Sequence, residues 1–297
     1  MSLEKALENF ISFCQLKGLS ENTERAYSDF VNLFITYNGN IEIDKLDITA
    51  VENYIRYLYT KSLSRSTVAT YIRHLKIFIK WLEEQEYIKA RIAKKIKVPK
   101  SPKRNPKIYS DDEIRKIFEA IKTKPQWLEY RNCTIVALML DSGLRQNEVC
   151  TLLNKNIDFR QNIIKVNGKG NKERFVPLGE LSTYYLKAYF KECPHKTAYA
   201  FVTAHGEPLT RNAVKLFVHR LEVGLPFEFS SHKLRHNFAT NYCLDQYEKY
   251  GTVDIYRLMA ILGHEDISTT RRYLHLANQI IATRSNISHL DKVFLST

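Results

Sequence analysis

Apolar residues recur at helical spacing through the first 88 positions of the chain. Leu3, Leu7 and Phe10 begin the first apolar stripe, and Asn38-Gly39 is a stop signal at the end of the second. The spacing predicts helices at residues 2–17, 20–38, 49–59 and about 66–86. This region is therefore expected to form a bundle of about four helices.

The second half of the chain has a mixed pattern. Residues 162–166 and 173–178 alternate between apolar and polar side chains around a turn that contains Gly168 and Gly170, which predicts a β-hairpin. The other segments predict helices, one of them strongly apolar at 131–142, and a charged connector at 245–252. We therefore expect a mainly α fold with a small antiparallel β-hairpin or sheet in the C-terminal domain (α+β).

A basic, proline-containing stretch separates these two patterns. Residues 89–107 carry nine Lys and Arg and no acidic residue, whereas residues 1–88 carry 10 Lys and Arg against 12 Asp and Glu. Pro99, Pro102 and Pro106 disfavour a continuous helix there. The expected division is a helical domain at 1–88, a basic linker at 89–107, a second domain at 108–281 and a C-terminal tail at 282–297.

The net charge of +13 and the pI near 9.4 favour a polyanionic partner. Because the excess is concentrated in the linker, we interpret it as a surface for DNA phosphates. A solvated helix face and a plain linker are the alternative interpretations. The candidate phosphate contacts are Arg73, Lys76 and Lys80 on the fourth helix, and Lys94, Lys95, Lys97, Lys100, Lys103 and Arg104 in the linker.

The five cysteines show no CxxC spacing, and several fall within apolar helical patterns. This usage predicts buried thiols in a reducing compartment. No apolar run reaches the length of a membrane span, and the N-terminus is charged and amphipathic, unlike a signal peptide. We expect a cytoplasmic, nucleoid-associated protein without a membrane partner.

Reactive side chains converge in residues 230–276. His232, Arg235 and His236 share one face of a helix, and His264 and Tyr273 follow, with no carboxylate at the centre of this set of side chains. The set suits an anionic phosphate. A zinc site is the alternative, since two histidines lie four residues apart. However, Lys233 occupies the place of the general-base glutamate of HExxH, and Arg235 would repel a cation, so no metal is expected.

Residues outside that stretch complete a set for phosphodiester transesterification. Arg145 lies at a helix entrance with Glu148 one turn later, and Lys169 lies at the hairpin tip. Fixed guanidinium groups meet the charge that develops on the phosphate oxygens. His232 is a candidate acceptor of the tyrosine proton, and Lys169 is a candidate donor to the leaving 5′-oxygen. No nucleotide-binding GxxxxGK[ST] motif is present, and no divalent ion or other cofactor is required.

Four segments resemble, in order and spacing, the signature boxes of the tyrosine recombinase, or phage-integrase, family. They are SGLRQNEV (142–149), VNGKGNKERFVPLG (166–179), SSHKLRHNFAT (230–240) and LGHEDISTTRRYLHL (262–276). The N-terminal bundle is similar to the SAM-like core-binding domain of that family. The overall length resembles that of compact Xer-type and simple transposon or phage integrases.

The resemblance implies that Tyr273 is the nucleophile, which forms a 3′-phosphotyrosyl bond and frees a 5′-hydroxyl. The other implied reaction-centre positions are Arg145, Lys169, His232, Arg235 and His264, with Glu148 in a supporting role. It further implies a homotetramer on two duplexes with inverted-repeat core sites, a Holliday-junction intermediate and exchange of the tail between subunits. A paired recombinase or an accessory protein is an optional partner.

The predicted function is thus site-specific DNA recombination for integration, excision or dimer resolution. One alternative is a type IB topoisomerase-like enzyme that relaxes DNA. The other is a non-catalytic DNA-binding protein of the same fold, although a binder has no use for a phenol among arginines.

Overall fold

A computed structural model describes residues 1–89, 91–100, 108–168 and 172–284, with only the backbone of Arg284. The chain divides into two compact units, residues 1–104 and 105–297. Several predictions lie outside the described residues: the phosphate contacts of Lys103 and Arg104, the role of Lys169, and the tail from residue 285 onward.

The first unit is a helical bundle, as its apolar periodicity predicted. Its α-helices are α1 (Leu3–Leu16), α2 (Glu21–Asn38), α3 (Ile48–Thr60) and α4 (Arg65–Glu84). Ser2, Asp47 and Ser64 cap the starts of α1, α3 and α4, each accepting a hydrogen bond from a first-turn backbone N–H. Phe10 of α1 packs against Phe78 and other aromatic rings of the bundle interior.

The packed core of this unit extends past residue 88. Ile92, Ala93 and Ile96 are buried in it, although they belong to the stretch that the sequence assigned to a linker. Lys76 Nζ donates to the Ile96 carbonyl at 2.8 Å, and the Ala93 N–H donates to the Glu83 carboxylate at 2.6 Å. The apolar residues of that stretch therefore anchor it to the bundle.

The second unit combines helices with a small sheet. Its helices are α5 (Asp111–Ala120), α6 (Gln126–Asp141), α7 (Gln146–Cys150), α8 (Glu180–Glu192), α9 (Arg211–Gly224), α10 (Ser231–Tyr250), α11 (Ile255–Leu262) and α12 (Ile267–Arg284). Its strands are β1 (Ile157–Asp158), β2 (Ile163–Asn167) and β3 (Glu173–Pro177), antiparallel in the order β1-β2-β3. The predicted fold class is confirmed, and β1 is an addition to the predicted hairpin.

Helix α6 forms the centre of the second unit. It packs against α8 on one side and α10 on another, which explains why residues 132–139 are buried around the whole helix. All five cysteines of the chain are buried thiols, as predicted. No helix in the described ranges is both long and apolar enough to cross a membrane.

The predicted connector at 245–252 is wrong for most of its length, because α10 continues to Tyr250. Its charged and aromatic side chains do not interrupt a helix. The stop comes from Gly251, which adopts a left-handed conformation at φ +69°. The longer α10 leaves Tyr247 and Tyr250 exposed near its end.

Candidate active site

Tyr273 lies on α12, and its side chain is only 1% exposed. Its ring centroid is 5.3 Å from that of His236 and 6.3 Å from that of His264. Arg272 Nη2 donates a hydrogen bond to the Tyr273 hydroxyl at 2.8 Å. The phenol is therefore enclosed by imidazole rings and a guanidinium group.

Arg235 projects from α10 and is 4% exposed. Its guanidinium donates to the carbonyls of Gly143 and Leu262, the latter at 2.6 Å, and approaches His264 Nε2 at 3.3 Å. Burial, with the charge of Arg145 next in size, lowers the pKa of Arg235 to about 10. The group still carries its positive charge at neutral pH.

The acceptors of Arg235 are presented by the ends of two helices. Gly143 and Gly263 follow α6 and α11 and have φ +64° and +61°, a conformation that glycine adopts readily. A Cβ on Gly143 would also lie 2.5 Å from the Phe238 ring. Because carbonyls at a helix C-terminus carry partial negative charge, they favour a cation at this position. Gly143 of the first motif and Gly263 of the fourth motif therefore help to position Arg235 of the third motif.

Glu148 is a buried carboxylate of the site, and the sequence analysis gave it a supporting role. It accepts from the Arg145 N–H at 2.8 Å and from Arg145 Nη1 at 2.9 Å. Arg174 binds both carboxylate oxygens, at 2.7 and 2.9 Å, and its Nε donates to the Ile261 carbonyl. Burial alone would raise the pKa of Glu148, but Arg174 and Arg145 outweigh it and lower that pKa.

Arg174 was missed by the sequence analysis. A signal was present, because Arg174 alternates with Glu173 and Phe175 in β3 and so shares the inward face with Val176. A charged residue on the buried face of a strand usually has a buried partner. Here that partner, Glu148, comes from α7.

His264 is a neutral acceptor beside Arg235. A guanidinium can only donate, so His264 Nε2 accepts, and Nδ1 carries the proton that it donates to Thr270 Oγ1 at 2.9 Å. Burial, and then the charges of Arg235 and Arg145, lower the pKa of His264 to about 4. This imidazole is therefore uncharged at neutral pH.

His232 and His236 lie one turn apart on α10, with ring centroids separated by 4.2 Å. Burial, followed by the charges of Arg272 and Arg235, lowers the pKa of His232. Burial and the neighbouring His232 lower the pKa of His236 to about 3. Neutral imidazoles are available to accept a proton, and the surrounding arginines disfavour a metal cation.

The structure brings together six of the seven predicted reaction-centre residues in the second unit. They are Arg145, Glu148, His232, Arg235, His264 and Tyr273. Lys169 lies outside the described part of the chain. Gly168, immediately before it, lines a cleft of about 810 Å³ together with Arg145, Arg174 and His264.

The predicted phosphate contacts belong to the first unit and have different surroundings. Arg73 and the four linker lysines Lys94, Lys95, Lys97 and Lys100 are exposed. Lys80 pairs with Glu84 at 3.0 Å, and Lys76 is bound to the Ile96 carbonyl. These five residues are therefore better placed for a ligand than Lys76, which is only partly exposed, or Lys80, which is exposed but paired with Glu84.

Over the ranges that the structure describes, no group of three or more His, Cys, Asp and Glu side chains is arranged to hold a metal ion. A mainly helical fold with a cluster of arginines, neutral histidines and a tyrosine is typical of a class of enzymes that act on phosphodiesters. The family description "Phage integrase family" matches residues 107–279, and "Phage integrase, N-terminal SAM-like domain" matches residues 6–89. The chain belongs to the phage integrase family and is a tyrosine site-specific recombinase, which confirms the prediction from the four motifs.

Named relatives cover both units. Tyrosine recombinase XerD of Staphylococcus saprophyticus subsp. saprophyticus is 28% identical over 299 residues, which cover 97% of this chain and 99% of the relative. Tyrosine recombinase XerC of Proteus mirabilis is 33% identical over 215 residues, covering 70% and 67%.

Two solved structures have the same fold. XerH site-specific recombinase, bound to palindromic difH substrate in a post-cleavage complex, gives a TM-score of 0.73 at 24% identity, covering 95% of this chain and 83% of the other. A lambda integrase dimer bound to a COC′ core site gives a TM-score of 0.73 at 18% identity, covering 92% and 95%.

Proposed function

We propose that this recombinase cuts and rejoins DNA through a covalent bond between Tyr273 and a 3′-phosphate. The observation that carries the proposal is the enclosure of the Tyr273 phenol by Arg272, His236 and His264, with His264 in turn bound to Arg235. This arrangement gathers a nucleophile, neutral bases and fixed positive charge in one place.

Arg235 and Arg145 bind the scissile phosphate in this proposal. The acceptors of Arg235 are neutral, so its charge remains available to the non-bridging oxygens, which become more negative in the transition state. Arg145 keeps 38% of its side chain exposed while Glu148 and Arg174 hold it in place. Glu148 is therefore a positioning residue.

The proton transfers follow from the protonation states of the site. The Tyr273 oxygen forms a bond to phosphorus as the bond from phosphorus to the 5′-oxygen breaks. His232, whose lowered pKa keeps it neutral, takes the phenol proton. Lys169 gives a proton to the 5′-oxygen, a role that rests on its place in the second motif. Rejoining reverses these steps with a 5′-hydroxyl as the attacking group.

The proposed substrate is double-stranded DNA with inverted-repeat core sites. The protein would act on it in the nucleoid, within the cytoplasm. XerH, which shares the fold, is seen bound to a palindromic difH substrate, and lambda integrase is seen bound to a COC′ core site. Exposed Lys94, Lys95 and Lys97 support a phosphate-binding role for the basic stretch. The protein acts as a homotetramer that exchanges its tail from residue 282 and resolves a Holliday junction, with or without a paired recombinase or accessory protein.

Replacing Tyr273 with Phe tests the proposal. The Tyr273→Phe variant should bind a nicked suicide duplex but form no covalent protein–DNA adduct in a denaturing gel. Tyr242→Phe is the matched control, because Tyr242 is a part-buried tyrosine of the same cluster whose hydroxyl has no hydrogen-bond partner in the described structure. An adduct formed by Tyr273→Phe would refute the assignment. A two-site recombination assay separates recombination from topoisomerase-like relaxation.

A further inference from the structure

Arg272 makes two contacts with the phenol of Tyr273. Its Nη2 lies 2.8 Å from the Tyr273 hydroxyl, and its Cζ lies 4.8 Å from the centre of the ring. Arg272 is an exposed residue of α12, whereas the ring that it contacts is buried. The guanidinium is therefore turned toward the reacting oxygen.

The charge of Arg272 acts on the whole reaction centre. It is among the causes that lower the pKa values of His232, His236 and His264. No carboxylate in the described ranges forms an ion pair with Arg272, in contrast to Arg145, which pairs with Glu148. Its positive charge is thus directed at the site without a neutralising partner.

We propose that Arg272 is a catalytic residue whose guanidinium donates a hydrogen bond to the Tyr273 oxygen and stabilises the attacking phenolate. The inference rests on the proposed function of Tyr273 as the nucleophile. A charge-assisted hydrogen bond to an anionic oxygen is stronger than one to a neutral oxygen, so this contact strengthens as negative charge develops on the attacking oxygen. Arginine does not give up its own proton at neutral pH, so it stabilises the anion without acting as the base.

The residues already given roles account for every proton and bond in the cleavage step. The phenol proton passes to the imidazole of His232, and the resulting phenolate remains bound to Arg272. As the bond from the Tyr273 oxygen to phosphorus forms, the bond from phosphorus to the 5′-oxygen breaks, and that oxygen takes a proton from Lys169. Arg272 then lies next to the new phosphotyrosyl oxygen.

The chain offers a matched control in the preceding residue. Arg271 is an exposed arginine on the same helix, and the described structure gives it no hydrogen bond to Tyr273. Arg271→Met and Arg272→Met therefore remove the same charge from adjacent exposed positions. A general weakening of DNA attraction should affect both variants alike, whereas removal of the hydrogen bond to the phenol should affect only Arg272→Met.

The experiment measures single-turnover cleavage of a nicked suicide duplex at saturating protein. Arg272→Met should slow cleavage by about 10- to 100-fold, the range for losing a charge-assisted hydrogen bond in the transition state. Arg272→Lys should fall between Arg272→Met and the unsubstituted protein, and Arg271→Met should stay within about 3-fold of the latter. Circular dichroism and duplex affinity verify that each variant is folded and binds DNA.

The decisive measurement is the effect of Arg272→Met on the cleavage rate when the nucleophile is a more acidic phenol. With 3,5-difluorotyrosine at position 273, the phenol loses its proton more readily and depends less on Arg272. The rate ratio between the unsubstituted protein and Arg272→Met should therefore shrink several-fold. An unchanged ratio, or cleavage by Arg272→Met as fast as or faster than normal, would overturn the inference.

These outcomes are separable from failure of the proposed function. If Tyr273→Phe forms no adduct and Arg272→Met cleaves at the normal rate, only the role of Arg272 is wrong. If Tyr273→Phe still forms an adduct, the nucleophile assignment fails, and the inference about Arg272 fails with it.

Discussion

The two arginines proposed to bind the phosphate are held by different kinds of acceptor. Arg235 is buried and donates to the neutral carbonyls of Gly143 and Leu262. Arg145 is partly exposed and donates both to the Gly263 carbonyl, at 3.3 Å, and to the carboxylate of Glu148, which Arg174 also binds. One arginine is thus a buried charge without a counterion, and the other belongs to a network of two guanidinium groups and one carboxylate.

The difference shows two ways to keep positive charge in a folded site before an anion arrives. A buried charge without an ionised partner is unfavourable, but the carbonyls at two helix ends reduce this penalty without neutralising the charge. In the network, one carboxylate orients two guanidinium groups and leaves one net positive charge. Both arrangements place fixed donors where a phosphate gains charge, so little reorganisation accompanies the reaction.

The largest effect is expected from Arg235→Lys, which keeps the charge but loses the fork of donors. Cleavage of a suicide duplex should fall by about 10²- to 10³-fold, because ammonium cannot bind the helix-end carbonyls and the phosphate in the same geometry. Arg131→Lys is the matched control, since Arg131 also binds a backbone carbonyl, that of Val202, but is not part of the site. Equal losses in both variants would contradict the prediction.

The next effect is expected from Arg174→Met, which breaks the network and leaves Glu148 with one guanidinium. The free energy of unfolding of the second unit should fall by about 3 kcal/mol, the lower end of the range for removing one partner of a buried pair, because Arg145 remains. Denaturant unfolding of the full chain measures this change. Adding Glu148→Gln should recover part of the stability, since it removes the buried charge. A double variant less stable than Arg174→Met would argue against the network.

Sequence reasoning related candidate site residues to one another where they lie within one local motif. Arg145 and Glu148 lie one turn apart at a helix start, and His232 and Arg235 share a helix face, so short spacing was enough to relate them. The fold class followed from periodicity because most elements are long. β1, at two residues, is too short to show a period.

The missed features depend on contacts between segments far apart in the chain. Arg174 is explained by a carboxylate on α7, 26 positions earlier. Arg235 depends on a carbonyl 92 positions away. The protonation of His264 depends on its contacts with Arg235 and Thr270. Spacing cannot show which distant groups meet, because the fold brings them together.

Lowering the pH should affect the surroundings of Arg235 and those of Arg145 over different pH ranges. Burial lowers the pKa of His264 to about 4, so between pH 6.5 and 4 the unfolded chain binds the proton more readily than the folded chain. Stability should therefore fall as pH decreases through this range, with a contribution below about 1.4 kcal/mol per pH unit, which solvent screening reduces further. For Glu148 the pKa is also lowered, so its contribution is lost only at lower pH, below about 4.5.

Replacing His264 with Gln should make the stability profile between pH 6.5 and 4 less steep in denaturant unfolding, with the remaining slope due to His232 and His236, whose pKa values are also lowered. His275→Gln is the matched control, because His275 is exposed on α12. A profile for His264→Gln that matches the control would show that this imidazole is not the acid-sensitive group beside Arg235.

The smallest expected effect concerns the salt dependence of DNA binding by lysines of the first unit. It compares lysines that have a carboxylate partner with lysines that do not. Replacing exposed Lys95 and Lys97 together with alanine should reduce the slope of log affinity against log salt by about 0.9 for each phosphate that the protein no longer neutralises. Lys80→Ala should change the slope less, because the Lys80 ammonium must leave Glu84 before it binds a phosphate. Lys5→Ala, which removes a lysine paired with Glu8, is the control outside the predicted surface. Fluorescence anisotropy over a salt series measures the slope for each of the three variants. A larger change in slope for Lys80→Ala than for the double variant would mean that DNA is bound by the helix face and not by the basic stretch.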